Sequence, residues 1–555
     1  MPSVLRRLVP MLFVCLLGPG ARAQAPLVSD ASEALHTQWL QAAVSRSASS
    51  RPMEGFALSA GLLSLSRDSA SPWMPLIRGA GQGTATLGQG LMVSGSWVRD
   101  GWEVSAEGTV LRDFDDHLTR GRLSGFSVVN RTEGGWRWGL EKKPLQWGYG
   151  LFGGYLLGDS HDPVPRLLLE SPSADLNLFG VPLGAWGFDT FLGRLEWNRQ
   201  IPAWVSTPRT TQQTLESGGN LRRPNLSGLR LRAAFGAHVD MTFGLISEWG
   251  GVDASGRDIM KGLSLWNYPL AYLGAENLLV AEASGDAENP DPTKRFAANK
   301  DYHALSNALA NVEVRVRLPE TAARWFGAKG LALYLSRGAT SVNWQWKDFL
   351  RRPFSAWSHD LRFLGRKIRN AELSGSDPDS VWGWAYAQGT PALVHINDTV
   401  GAQWVFEDWD LGIELSDLHN QPYPASTYRV YGHWRNLSGH SRYGDSLGQP
   451  LGGEVYHQGL SAGFKVGSSG RIRFQFLDAI RYYRDSPETT SAYVPGEDDH
   501  FIHAQVDAQW TLPAGRLGGS LAFERHRADL FIPGNRRSSW ILSLGYAIPV
   551  LKPVR

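Results

Sequence analysis

Residues 311 to 318 alternate without a break: Val312, Val314, Val316 and Leu318 fall on one side of an extended chain, and Asn311, Glu313, Arg315 and Arg317 on the other. A period of two predicts a strand with unlike faces. The pattern recurs from about Trp97 to Tyr546, as at Trp102/Val104/Ala106/Gly108/Val110, Trp136/Trp138/Leu140, Leu229/Leu231/Ala233/Phe235, Leu411/Ile413/Leu415, Ile472/Phe474/Phe476 and Trp540/Leu542/Leu544/Tyr546. Lipid tolerates no unpaired sheet edge, so a long series of such strands in an exported chain predicts a closed sheet, apolar outside and polar within. The expected fold class is all-β transmembrane: an antiparallel outer-membrane β-barrel. At roughly 10 residues per strand plus connections, the alternating region holds some 16 to 20 strands.

Export is expected from the N-terminus. Arg6 and Arg7 precede an apolar stretch, Leu8 to Leu17, and the small-residue sequence Ala21-Arg22-Ala23 follows. That is the three-part pattern of a cleaved signal peptide, residues 1–23. The only cysteine, Cys15, lies inside the apolar stretch behind Val14, which argues against lipidation there. Without it the mature chain has no thiol chemistry, neither disulfide nor thiolate ligand nor Cys nucleophile. Loss of Arg6, Arg7 and Arg22 takes the formal charge from +2 to about −1, a balance that gives no reason to expect nucleic acid. No later window approaches the roughly 18 to 20 apolar residues of a spanning helix. The 23 tryptophans and 62 glycines instead suit interfacial girdles and tight turns.

Residues 24–52 read as a periplasmic helical segment, with Ser29 or Asp30 as cap and Leu35, Trp39 and Ala43 on one face. Residues 53–555 are assigned to the barrel, with helical or looped insertions near 263–284, 319–329 and 346–370. The last of these is basic and amphipathic, with Leu350, Phe354, Trp357, Leu361 and Leu364 spaced by three or four.

Three catalytic or cofactor patterns fail on mechanism. Gly148, Gly150 and Gly153 spell a dinucleotide-binding glycine pattern, which works only if a helix starts at the third glycine. Here Gly154, Pro163 and Pro165 follow, so no helix is expected. Gly444-Asp445-Ser446-Leu447 matches an esterase nucleophile block, but none of the 14 histidines has the Asp three positions earlier that such an enzyme uses to orient its base. His500 and His503, three apart on a strand, should face opposite ways and so share no metal. Neither enzyme activity, metal nor cofactor is expected; a barrel-embedded esterase is the third reading of the chain.

One set of residues carries a family likeness. Trp147-Gly148-Tyr149-Gly150 leads through Gly153-Gly154 to Gly158-Asp159 and Pro163 to Arg166. Two further blocks run from Phe243-Gly244 to Glu248-Trp249-Gly250-Gly251, and from Tyr428 to Gly439, Gly444-Asp445 and Gly452-Gly453. In combination and order they resemble the capsule assembly protein Wzi family, over roughly Trp97 to Tyr546. The resemblance implies an outer-membrane barrel of about 18 strands that acts as a surface lectin, retaining and organising capsular or exopolysaccharide. The N-terminal helical region looks shorter than in typical members.

A glycan is held by aromatic rings stacked on sugar C–H faces and by planar donors on its hydroxyls and carboxylates, with arginine matching an acidic sugar bidentately. The candidates are therefore Trp147, Tyr149, Asp159 and Arg166, together with Trp249, and Trp434, Arg435, His440, Arg442, Tyr443 and Asp445. Membrane girdle or turn packing is the plain alternative for each aromatic, and turn capping for each Asp. Expected partners are an acidic capsular polysaccharide, outer-membrane lipid or lipopolysaccharide and, further, the polysaccharide export machinery. The competing function is a porin-like diffusion channel for saccharides.

Overall fold

The structure is a computed structural model. It describes residues 55–67, 87–113, 119–158, 163–179, 181–197, 222–252, 256, 258, 260, 267–273, 306–340, 396–418, 441–442, 445–448, 451–453, 455–481 and 497–551. The expected helix at residues 29–45, the amphipathic stretch 346–370 and the expected signal peptide, residues 1–23, lie outside the described residues.

The first strands are β1 (Gly55–Arg67), β2 (Leu87–Arg99), β3 (Trp102–Asp113), β4 (Thr119–Arg131), β5 (Arg137–Lys142), β6 (Arg166–Glu170), β7 (Ala174–Leu178) and β8 (Val181–Arg194). Then come β9 (Asn225–Phe235), β10 (Val239–Trp249), β11 (Ser306–Leu318), β12 (Gly330–Thr340), β13 (Ile396–Val405) and β14 (Trp409–Asp417). Two short pieces, β15 (Ser441–Arg442) and β16 (Asp445–Ser446), pair only with each other. The last are β17 (Val455–Val466), β18 (Gly470–Arg481), β19 (Asp499–Leu512), β20 (Gly515–His526) and β21 (Arg537–Leu551).

All but β15 and β16 form one 19-stranded antiparallel sheet, and β1 pairs with β21, so the sheet closes. β6 and β7 are successive pieces of one stave, since both pair with β8 and only Ser171 to Ser173 separate them. The barrel therefore has eighteen staves. Most are 9 to 15 residues long, enough to cross the hydrocarbon when tilted. Among the described residues no helix is long and apolar enough to cross a membrane.

Where side-chain burial is described, alternation along the staves has the predicted sense. On β11, Asn311 and Glu313 are buried inside while Val312 and Val314 face outward. Ser94, Ser96, Ser127, Glu141 and Gln505 also point into the lumen, while Leu91, Trp138, Phe474, Leu521 and Leu544 are exposed on the outer face. Two staves hide the pattern in sequence. β4 slips register against β3 between Glu107 and Gly108, so its face-parity changes partway. β1 begins at Gly55, ahead of Trp97, in a segment rich in small residues that blur the contrast between faces.

The connections sort by end. β2–β3, β4–β5, β7–β8, β9–β10, β11–β12, β13–β14, β17–β18 and β19–β20 are joined by short turns at the end where β1 begins and β21 finishes. Asp100 (φ 49°) and Gly101 (φ 79°) show why such turns close tightly, since two successive positive φ values match the twist of a hairpin. Pro319 opens a helical turn between β11 and β12, made of a one-turn α-helix, Glu320–Ala323, and a 3-10 turn, Arg324–Phe326. All long connections lie at the opposite end, which in outer-membrane barrels is the external one. A ring of aromatics on the outer face marks the short-turn end. Trp102 meets Trp138 edge-on at 5.5 Å, Trp136 meets Phe188 at 5.7 Å, and Phe406 stacks on Trp409 at 3.7 Å, as expected of an interfacial girdle.

The stretch near 263–284 includes one described helix, α1 (Asn267–Tyr272), which lies against the outer wall. Outward-facing Ser227 and Ser247 donate their hydroxyls to the carbonyls of Tyr272 (2.6 Å) and Ala271 (2.8 Å), and Tyr272 Oη donates to Phe191 O (3.0 Å). The helix thereby satisfies hydroxyls that would otherwise meet lipid.

The outer band gives a direct check on orientation. Arginine in place of Leu521, mid-stave and half exposed, should cost about 2–4 kcal/mol of barrel stability, whereas Leu517→Arg near the turn should cost about 0–1 kcal/mol. Urea titration of refolding into vesicles measures both, and equal costs would contradict a membrane-embedded outer face.

Candidate functional site

The chain leaves β5 into a segment, residues 143–158, that turns inward instead of outward. Its sequence interleaves apolar side chains with Gly148, Gly150, Gly153 and Gly154. That composition forms neither helix nor ladder, and no helix starts at the dinucleotide-like glycines. Trp147 N donates to Leu157 O (3.0 Å), closing the segment into a coil. Trp147, Leu151, Phe152, Tyr155, Leu156 and Leu157 are all buried, so the segment is the apolar filling of the barrel.

The wall is shaped to receive it. Inward-facing glycines stand where these side chains arrive: Gly228 beside Trp147 and Phe191, Gly244 beside Leu156, Gly338 beside Tyr155, Gly412 beside Leu151, and Gly459 beside Phe152. A Cβ at any of the five would collide with the plug side chain. These contacts run from β9 round to β17, an arc of consecutively paired staves on which the plug is seated.

One carboxylate fastens it. Glu414, on β14, accepts hydrogen bonds from Leu151 N (2.6 Å), from Tyr334 Oη of β12 (2.7 Å) and from His457 Nε2 of β17 (3.0 Å). All four residues are buried. On the neighbouring staves β9 and β11, arginines stack on the plug aromatics: Arg230 over Trp147 at 5.1 Å and Arg315 over Tyr149 at 4.4 Å. Asp189 pairs with Arg230 and Arg232 at 2.5 and 3.0 Å, and Asp240 pairs with Arg315 (2.8 Å) and Arg317. Burial pushes the Tyr149 phenol up, although the Arg315 guanidinium pulls the other way, so the phenol stays protonated beside the arginine.

The sequence candidates divide among separate places. Trp147 is buried edge-on against Phe191 (5.2 Å), and Tyr149 is half-buried against Arg315. Arg166 opens β6 inside the wall, pairs with Glu141 and donates to Lys143 O (2.8 Å), bracing the point where the plug departs. Trp249 ends β10 on the outer face, where its indole donates to Ser227 Oγ (3.0 Å) beneath α1. These residues do not form one cleft. Arg442 and Asp445 face each other across the β15–β16 ladder. Asp159, Trp434, Arg435, His440 and Tyr443 lie outside the described residues. The backbone nonetheless joins two of the sequence blocks, because Gly158 N donates to Leu447 O (2.7 Å).

Sequence reading missed Glu414, Tyr334, His457, Arg230 and Arg315. The signal available was the set of glycines in the polar rows of staves, each marking a close approach. His500 is exposed and His503 buried, on opposite faces of β19. Among the described residues, Asp499, His526 and Asp529 stand close enough to hold a cation. Their groups are already engaged: His526 Nδ1 with Asp499 (2.7 Å), His526 Nε2 with Glu524 (3.3 Å), and Asp529 with Arg537 (2.9 Å).

No family model and no curated protein matches the chain. Solved structures do. Wzi of Escherichia coli, described as an outer-membrane protein involved in group 1 capsule assembly and a carbohydrate-binding β-barrel, matches at a TM-score of 0.54 and 14% identity, over 95% of this chain and 90% of that one. OprD of Pseudomonas aeruginosa matches at 0.41 and 10%, over 91% and 98%. OccK2 of the same organism, solved with glucuronate, matches at 0.41 and 10%, over 90% and 98%. At the level of fold, this chain is an outer-membrane β-barrel similar to Wzi, the family that residues 147 to 166 resemble.

Proposed function

We propose that the protein binds capsular or extracellular polysaccharide at the cell surface and organises its attachment there, while its lumen conducts little. The observation that carries this reading is the plug: an eighteen-stave wall is wide enough for an aqueous channel, yet residues 145–157 pack apolar side chains into it against purpose-shaped glycines. The carbohydrate binding described for Wzi supports the same reading. The glycan-facing surface is the loop end, where the β15–β16 ladder carries Arg442 and Asp445 and the chain beyond it rests on Gly158. Arginine there suits an acidic polymer. The barrel is read as non-catalytic, exported through a cleaved signal peptide and surrounded by outer-membrane lipid, with the polysaccharide export machinery as a neighbour.

Purified protein should bind acidic capsular polysaccharide in titration calorimetry, and a deletion strain should shed capsule into the medium while still synthesising it. Unchanged cell-associated capsule would defeat the proposal. The second reading, a saccharide channel, draws on the same stave number and predicts steady current through the unmodified protein.

A further inference from the structure

On the outer wall, β8 ends in Arg194, exposed and on the same face as Leu192 two residues below. The chain leaving β8 carries Trp197, 44% exposed, and the chain entering β9 carries Arg222 and Arg223, both exposed. The two guanidiniums lie 5.8 and 5.0 Å from the Trp197 ring centroid. A backbone frame holds the group. Leu195 N donates to Pro224 O (3.0 Å), Arg223 N to Glu196 O (3.1 Å), and Arg222 and Val252 exchange two bonds of 2.8 Å. Arg194 Nε reaches Arg223 O at 3.5 Å.

These three arginines differ from those of the lumen. Arg230, Arg232, Arg315, Arg317 and Arg473 each pair with an aspartate. Among the described residues, Arg194, Arg222 and Arg223 have no carboxylate partner. Their height matters as well. Arg194 stands about 7 Å beyond Leu192 along the stave, at the external end, where the apolar band gives way to headgroups. Tryptophan favours that depth, and guanidinium forks meet phosphate oxygens bidentately.

We propose that Arg194, Arg222 and Arg223, set around Trp197, form a binding site for the phosphorylated headgroup of an outer-leaflet glycolipid. Acyl chains of that lipid would lie against the wall beside exposed Leu192, while its phosphate replaces the missing carboxylates. The site is on the outer wall, so it is independent of the polysaccharide reading.

The test is native mass spectrometry of the detergent-solubilised barrel with lipopolysaccharide or its enzymatically dephosphorylated form. The unmodified protein should retain the phosphorylated lipid about a hundredfold better, from the usual contribution of three basic residues at a membrane surface. The R194A/R222A/R223A variant should lose that preference while keeping the heat-modifiable gel mobility of a folded barrel. Inorganic phosphate at millimolar concentration should not displace the lipid. Equal retention of the two lipids by the unmodified protein overturns the proposal even if the variant fails to fold. Undiminished preference in the folded variant, or full displacement by inorganic phosphate, overturns it too.

Discussion

Replacing residues 146–157 with a short Gly-Ser linker should turn a barrel that passes little current in a planar bilayer into an open pore, with single-channel conductance rising at least ~tenfold. Barrels of 16 to 18 strands enclose an aqueous channel unless something occupies it. Here the occupant is apolar, buried and seated on Gly228, Gly244, Gly338, Gly412 and Gly459. The deletion removes no stave, since β5 and β6 pair directly through Trp138 and Leu169. Circular dichroism should therefore keep its β signature. A large, steady conductance in the unmodified protein would refute a closed lumen and promote the channel reading.

Glu414→Ala should loosen the plug without opening the wall. The substitution strands three buried donors at once, Leu151 N, Tyr334 Oη and His457 Nε2. Each unsatisfied buried donor costs about 1–3 kcal/mol, and local relaxation should leave a net loss of about 4 kcal/mol. The expected readouts are proteolytic cleavage within residues 145–157 and flickering current. Glu414→Gln keeps one acceptor oxygen of the same shape and should show a smaller loss. If both variants resist protease as the parent does, Glu414 is not the fastening.

Particular residues show how far sequence reading reached. Val312, Val314 and Val316 announce an outward face because a pleated strand admits no other arrangement of that alternation, and the structure places them so. β4 did not announce itself, because a register slip moves its apolar residues from one face to the other midway. For the candidate site, the Trp147 to Gly158 block was read as a candidate surface for sugar. Its aromatics face inward, and a linear sequence carries no mark distinguishing a ring that stacks on a glycan from one that fills a cavity. Trp249 likewise proved to anchor α1 to the outer wall.

The sequence alone determined that this chain is a closed, two-faced sheet, because period-two alternation and the ban on open edges in lipid are local rules that need no knowledge of distant contacts. Only the tertiary structure decided that the lumen is occupied. Leu151 and Glu414 are 263 positions apart, and no local rule links them. Their hydrogen bond exists because closure of the eighteen-stave ring brings β14 round to face the chain that leaves β5.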